Sequence, residues 1–146
     1  MVFIYNMSPE QYYEGVLQLR NPSDKIIKKI REAASKRKDV WIAKEEKVRG
    51  GIDFYISSWR YLIDIGNRLQ KEFGGEKKIT RKLFGLSRLT SKKLYRVIFL
   101  LRLPAVKVGE IIQYRGKRVK IKGFRKKIEA RDVETGKKML INYDEI

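Results

Sequence analysis

Two stretches with helical spacing, separated by strand-like segments that meet at Gly50-Gly51, restrict this chain to a small set of folds. In the first, Ile26, Ile27, Ile30, Ala33 and Ala34 recur at helical intervals while Lys25, Lys28, Lys29, Arg31 and Lys36 fill the other side. Asn21 stands where a cap is needed, and Pro22 suits the first helical position because its missing N–H would go unused there. The second stretch starts at Ser57 or Ser58, carries Trp59, Leu62, Ile63, Leu69 and Phe73 on one stripe, and stops at Gly74-Gly75. Gly66 lies inside it and weakens it slightly.

Alternation marks the strands. Between Tyr12 and Arg20, residues Tyr13, Gly15, Leu17 and Leu19 share one face. Asp39 to Val48 and Ile52 to Ile56 read as a hairpin across the glycines, and two further strands, Lys77 to Leu86 and Lys93 to Leu103, are closed by Pro104. The resulting α+β order, β-α-β-β-α-β(-β), predicts a ferredoxin-like domain with both helices on one face of an antiparallel sheet and the other face open. Beyond Pro104 the pattern becomes short strands punctuated by Gly109, Gly116, Gly123 and Gly136. That rhythm predicts a small β-barrel, Src-homology-three-like or oligonucleotide-binding, and divides the chain into domains 1–104 and 105–146.

The 146 residues leave room for one ordinary domain or two small ones, and 42% hydrophobic content is enough to build a core. Thirty-five Lys and Arg against seventeen Asp and Glu give a formal charge of +18, a balance expected of a protein that works on a polyanion. Without Cys or His there are no disulfides, thiol nucleophiles, imidazole acid–base groups or cysteine-based zinc sites. Met1 to Tyr5 is too short for a signal peptide core, and no apolar run nears the roughly 20 residues of a spanning helix, so the expected location is cytoplasmic.

Charge is concentrated from Lys107 to Lys127, where Lys107, Arg115, Lys117, Arg118, Lys120, Lys122, Arg125, Lys126 and Lys127 face the single acid Glu110. On a strand, Arg118, Lys120 and Lys122 fall on one face and Val119, Ile121 and Gly123 on the other, the form of a phosphate-tracking ridge; the plain alternative is a solvated strand face. Tyr114 and Phe124 flank it, and Tyr114 is a candidate for base stacking. In the first domain, turning Ile52, Phe54 and Ile56 toward the helices leaves Asp53 and Tyr55 on the open face beside Gln18 and Arg20. Tyr55 there either stacks bases or packs under its neighbours. Arg96, Ile98, Leu100 and Arg102 lie opposite Tyr95, Val97, Phe99 and Leu101, so this strand is apolar on both faces and something should cover it. A metal-dependent nuclease would need acids such as Asp53 and Asp64 to converge, and they fall on different elements; Asp132 and Glu134 straddle a turn. No phosphate-binding glycine motif has the required spacing. No catalytic residue, metal ligand, cofactor or small-molecule substrate is assigned.

The runs YYEGVLQLRNP (12–22), GGIDFYISSWRYLIDIGNRLQKEFGG (50–75) and LYRVIFLLRLPAVKVGEIIQYRG (94–116) together resemble the large-ribosomal-subunit export adaptor family, nonsense-mediated-decay protein three. The resemblance extends over about Tyr12 to Asp132 and rests on the order of these motifs. It implies a non-enzymatic factor that contacts ribosomal RNA on the intersubunit face of the large subunit during late maturation. Archaeal members would keep only the ribosome-binding role, without export. Family members begin with paired Cys-x-x-Cys zinc modules; a chain without Cys matches an archaeal-type fragment or shortened relative, and has no evident export tail. The leading expectation is therefore an RNA- and large-subunit-binding assembly or translation factor. The alternative is a module for single-stranded RNA or transfer RNA without ribosome preference.

Overall fold

The computed structural model describes residues 2–3, 12–86 and 89–146. Among the described residues the chain is α+β, with two α-helices and two sheets. The first sheet contains β1 (Val2–Phe3), β2 (Gly15–Arg20), β3 (Ile42–Val48), β4 (Gly51–Ile56), β5 (Glu76–Leu86) and β6 (Lys93–Arg102). Helix α1 (Asp24–Ser35) follows β2, and α2 (Trp59–Phe73) follows β4.

Both helices start where a serine caps them. Ser23, not Asn21, receives the Ile26 N–H of α1 at 3.3 Å, because Asn21 adopts a left-handed backbone (φ 58°) that turns the chain before the helix begins. Ser58 receives the Tyr61 N–H of α2. Alternation along β2, β4 and β6 sends Leu17, Leu19, Ile52, Phe54, Ile56, Val97, Phe99 and Leu101 to the helix side, where they meet Ile26 and Ile30 of α1 and Leu62, Ile65 and Leu69 of α2. Gly66 has a packing reason. A Cβ there would lie 2.6 Å from the Phe99 ring, so the glycine that weakens α2 is also what lets it settle onto β6.

The sheet order is β1-β5-β6-β2-β4-β3, which departs from the ferredoxin-like expectation. In that plan the strand after the second helix lies antiparallel beside the first. Here β5 runs past that place to the outside, and β6 returns to pair with β2 in parallel, Val16 opposite Ile98 and Leu17 opposite Phe99. Composition explains the exchange: Lys77, Lys78, Arg81 and Lys82 keep β5 exposed, whereas Val97, Phe99 and Leu101 of β6 must be buried.

The second sheet is β7 (Ile111–Tyr114), β8 (Lys117–Phe124), β9 (Ile128–Asp132) and β10 (Lys138–Ile141), an antiparallel meander in the order β10-β9-β8-β7. It does not close. The predicted barrel is thus an open sheet, whose edge strands β7 and β10 have four residues each and join their neighbours by tight turns, too short to curl round and pair. Its inner face forms a core of its own from Val119, Ile121, Ile128, Ala130 and Ile141, covered by Val106 and Tyr143. Tyr143 also joins the two sheets: its hydroxyl donates to the Arg125 carbonyl at 2.6 Å and accepts from the Gly75 N–H at 3.3 Å. Gly74 ends α2 with φ 76°, and a Cβ there would meet the Phe124 side chain at 2.7 Å.

Candidate nucleic-acid interface

Strand β8 places Arg118, Lys120 and Lys122 outward and Val119 and Ile121 inward. Register then extends the row. Lys120 lies opposite Arg131 of β9, and Arg131 opposite Lys138 of β10, so cations from three strands line up across the outer face. Arg131 also donates to the Gly136 carbonyl at 3.4 Å, which holds its stem along the sheet. Arg131 and Lys138 are the residues that the sequence reading missed; alternation along β9 and β10 shows them pointing outward, but only the register shows them beside Lys120. The acid on this face, Glu129, is drawn toward Arg125 at 3.7 Å. Among the described residues, Arg118, Lys120, Lys122 and Lys138 make no ion pair.

The other expected RNA contacts lie elsewhere. Arg115 and Lys117 sit at the β7–β8 turn, where Arg115 has φ 50° and approaches Glu145 at 3.6 Å. Arg125, Lys126 and Lys127 occupy the β8–β9 turn at the opposite end, and Arg125 and Lys126 share a cleft with Lys71 and Lys77. Lys107 precedes β7, its backbone N–H bound to Glu110 at 2.9 Å. Tyr114 is not on the cationic face: its ring packs on the inner core and its hydroxyl is held by Glu145. That hydrogen bond is the main cause of its raised pKa and of the lowered one at Glu145.

On the first sheet, Arg20, Gln18, Asp53 and Tyr55 do share the face away from the helices. Their charges are spent internally. Arg20 donates to Asp53 at 2.8 Å and to the Leu19 carbonyl at 2.9 Å, which satisfies the largely buried carboxylate. Arg102, beside Arg20 in register, has a buried Nε without a hydrogen-bond partner among the described residues. Tyr55 packs edge-on against Tyr13 at 4.9 Å, with the Lys44 ammonium 5.2 Å from its ring. Burial pushes the Tyr55 phenol up. Beyond Tyr13, the Arg96 guanidinium lies between two rings, 3.4 Å from the Tyr13 centroid and 3.0 Å from that of Phe84. It donates to the Tyr13 hydroxyl at 2.6 Å, and burial lowers its pKa against the pull of that phenol. These rings therefore stack on protein cations. Ile98 and Leu100, which needed cover, are half-buried on this face.

Among the described residues, no group of three or more acidic side chains could hold a metal ion, and no helix is long and apolar enough to cross a membrane. Asp53 is committed to Arg20, while Asp64 pairs with Arg68 on the surface of α2.

No curated protein matches the chain. A family model, described as NMD3, second domain, matches residues 12–103. The match takes in β2 through β6 with both helices, includes the Gly-Ile-Asp-Phe-Tyr run, and stops at Leu103, just before the proline of the Arg-Leu-Pro strand end. Since it covers well over half of the sequence, the chain belongs to the NMD3 family.

Proposed function

We propose that this protein is a non-catalytic factor of the cytoplasm that binds the large ribosomal subunit through ribosomal RNA, in late subunit maturation or in translation. Membership of a family associated with that subunit supports the ribosomal part of the reading. The observation that carries the RNA part is the row Lys120, Arg131 and Lys138, with Arg118 and Lys122 beside it, cations that make no ion pair among the described residues while the acid of the face, Glu129, approaches Arg125. Such a row can follow a phosphate backbone without reading its bases. In this reading, residues 1–104 and 105–146 act as two domains, the second presenting the cations and the first carrying most of the family match.

Cosedimentation with separated ribosomal subunits over a salt series tests the proposal. Binding should favour the large subunit, and log K should fall by about 0.7 to 0.9 per neutralised phosphate for each decade of salt. Equal binding to large subunits, small subunits and short single-stranded RNA would reject a ribosomal role in favour of a general RNA module.

A further inference from the structure

We propose that the outer edge of β5, with the groove beside it, is a docking site for an extended acidic protein segment in which apolar residues alternate with carboxylates. The core beneath the two helices extends only as far as β6; β5 lies outside it and meets α2 through the Lys77 ammonium, which donates to the Asn67 side-chain oxygen at 2.8 Å. On its outer side β5 pairs with β1 only at Gly85 and Leu86, so from Glu76 to Phe84 that edge has no strand partner among the described residues. The β1 pairing shows that the same edge accepts an added strand.

The side chains along this edge set the pattern of the ligand. On the helix side, Lys77, Ile79, Arg81 and Leu83 alternate cation with hydrocarbon. Ile79 and Arg81 form one wall of a groove of about 390 Å³ whose other walls are Trp59 and Ile63 of α2 and Tyr95 of β6. Trp59, Ile79, Leu83 and Tyr95 are each 42–44% exposed, an apolar concentration of the kind that marks an interaction site. Arg81 lies 4.9 Å from the Tyr95 ring and Arg60 lies 5.4 Å from that of Trp59, so cations flank the groove, while Glu14 in its lining is held by the Trp59 N–H at 2.9 Å and the Tyr12 hydroxyl at 2.8 Å. Lys78 and Lys82 repeat the positive charge on the opposite face of the strand. A lysine-rich edge resists pairing with copies of itself but attracts a strand of opposite charge. An incoming segment would gain backbone hydrogen bonds along β5, place apolar side chains against Ile79 and Leu83, and set its carboxylates near Lys77 and Arg81. RNA would leave both the free backbone groups and the hydrocarbon unused.

Titration calorimetry of the full chain with two peptides tests this. One has about nine residues, enough to span the free edge at roughly 3.3 Å per residue, with Glu and Val alternating; the other has the same composition with all Glu at one end. The alternating peptide should bind about tenfold tighter or more, a difference of about 1.4 kcal/mol. Ile79→Glu and Arg81→Glu should each remove that preference while leaving ribosomal-subunit binding intact. Hydrogen exchange should show new protection at those β5 amides that do not pair with β6. Equal affinity for the two peptides would overturn the proposal, as would loss of peptide binding on Lys120→Ala/Lys122→Ala. So would a single-stranded RNA that protects the same β5 amides.

Discussion

In the six-stranded sheet and its helices, several cations sit on carboxylates: Arg20 on Asp53, Arg31 on Glu45, Arg37 on Asp39, Arg68 on Asp64. In the four-stranded sheet, the pairs Arg115–Glu145 and Arg125–Glu129 are long, at 3.6 and 3.7 Å, and lie at the sheet's ends, while the cations of the outer face are left without one. Exposed ion pairs add little stability, so the contrast matters through the field each region projects. A positive total charge says nothing about where a polyanion would bind. Among the described residues, the outer face of the second sheet gathers cations without an ion pair from three adjacent strands, whereas in the first sheet such cations run along the single strand β5.

The two regions also differ in core. Among the described residues, sixteen buried residues form the first cluster and seven the second, with the rings of Phe54, Phe99 and Tyr61 in the larger and only that of Tyr143 in the smaller. The largest expected effect follows from that inequality. Ile121→Ala should cost about 2–5 kcal/mol. Because the cores are separate, hydrogen exchange should show protection lost in β8 and β9 and retained in β2, β4 and β6. Joint loss would mean that the Tyr143 contacts bind the two into one cooperative unit.

A smaller effect sharpens the electrostatic side. Arg20→Ala strands the Asp53 carboxylate away from water and should destabilise the chain by about 1–3 kcal/mol in urea unfolding. Arg115→Ala, which removes a long exposed contact to Glu145 and an exposed cation 5.2 Å from the Tyr114 ring, should shift the urea midpoint much less. Equal losses would erase the distinction between the paired and unpaired regions.

The smallest effect is a pH dependence at the β9–β10 turn. Asp132 accepts from the Glu134 N–H at 2.8 Å and from the Thr135 N–H at 3.2 Å, and these bonds hold its carboxyl below the usual carboxylate range. Its contribution is complete above the unfolded value near pH 4, and is lost as pH falls through the lower folded value. Asp132→Ala should therefore lower stability at neutral pH and flatten the acid limb of the curve. An acid limb as steep as the parent's would assign the effect to other carboxylates.

Much of this was legible in residue order, for reasons that individual residues make plain. Period-two alternation placed Leu17, Phe54 and Phe99 inside, and helical spacing did the same for Ile26 and Ile30, because burial acts on each element separately. Sheet order is a relation between elements. The lysines of β5 and the hydrocarbon of β6 held the clue to which strand would be central, but the helix–strand succession alone suggested otherwise. Glycine spacing located the turns at Gly116 and Gly136 but not the one between β8 and β9, since Gly123 lies within β8, and it did not specify whether the sheet would close. The Tyr13–Arg96–Phe84 stack joins residues far apart in sequence, and Arg131 and Lys138 reach Lys120 only through register. Asn21-Pro22 resembled a helix start strongly enough to hide Ser23, the residue that caps it.

The most direct test of the account compares two multiple variants in the same salt series with large ribosomal subunits. Replacing Arg118, Lys120, Lys122, Arg131 and Lys138 by Ala removes the cations of the outer face; replacing Lys28, Arg31, Arg37, Lys44 and Arg68 by Ala removes an equal number from the ion-paired surface. The first set should lower the slope of log K against log salt by about 4, with each protein still folded by circular dichroism, and the second should lower it by less than about 1. Equal slopes for the two variants would contradict the claim that the C-terminal sheet is the RNA-binding face.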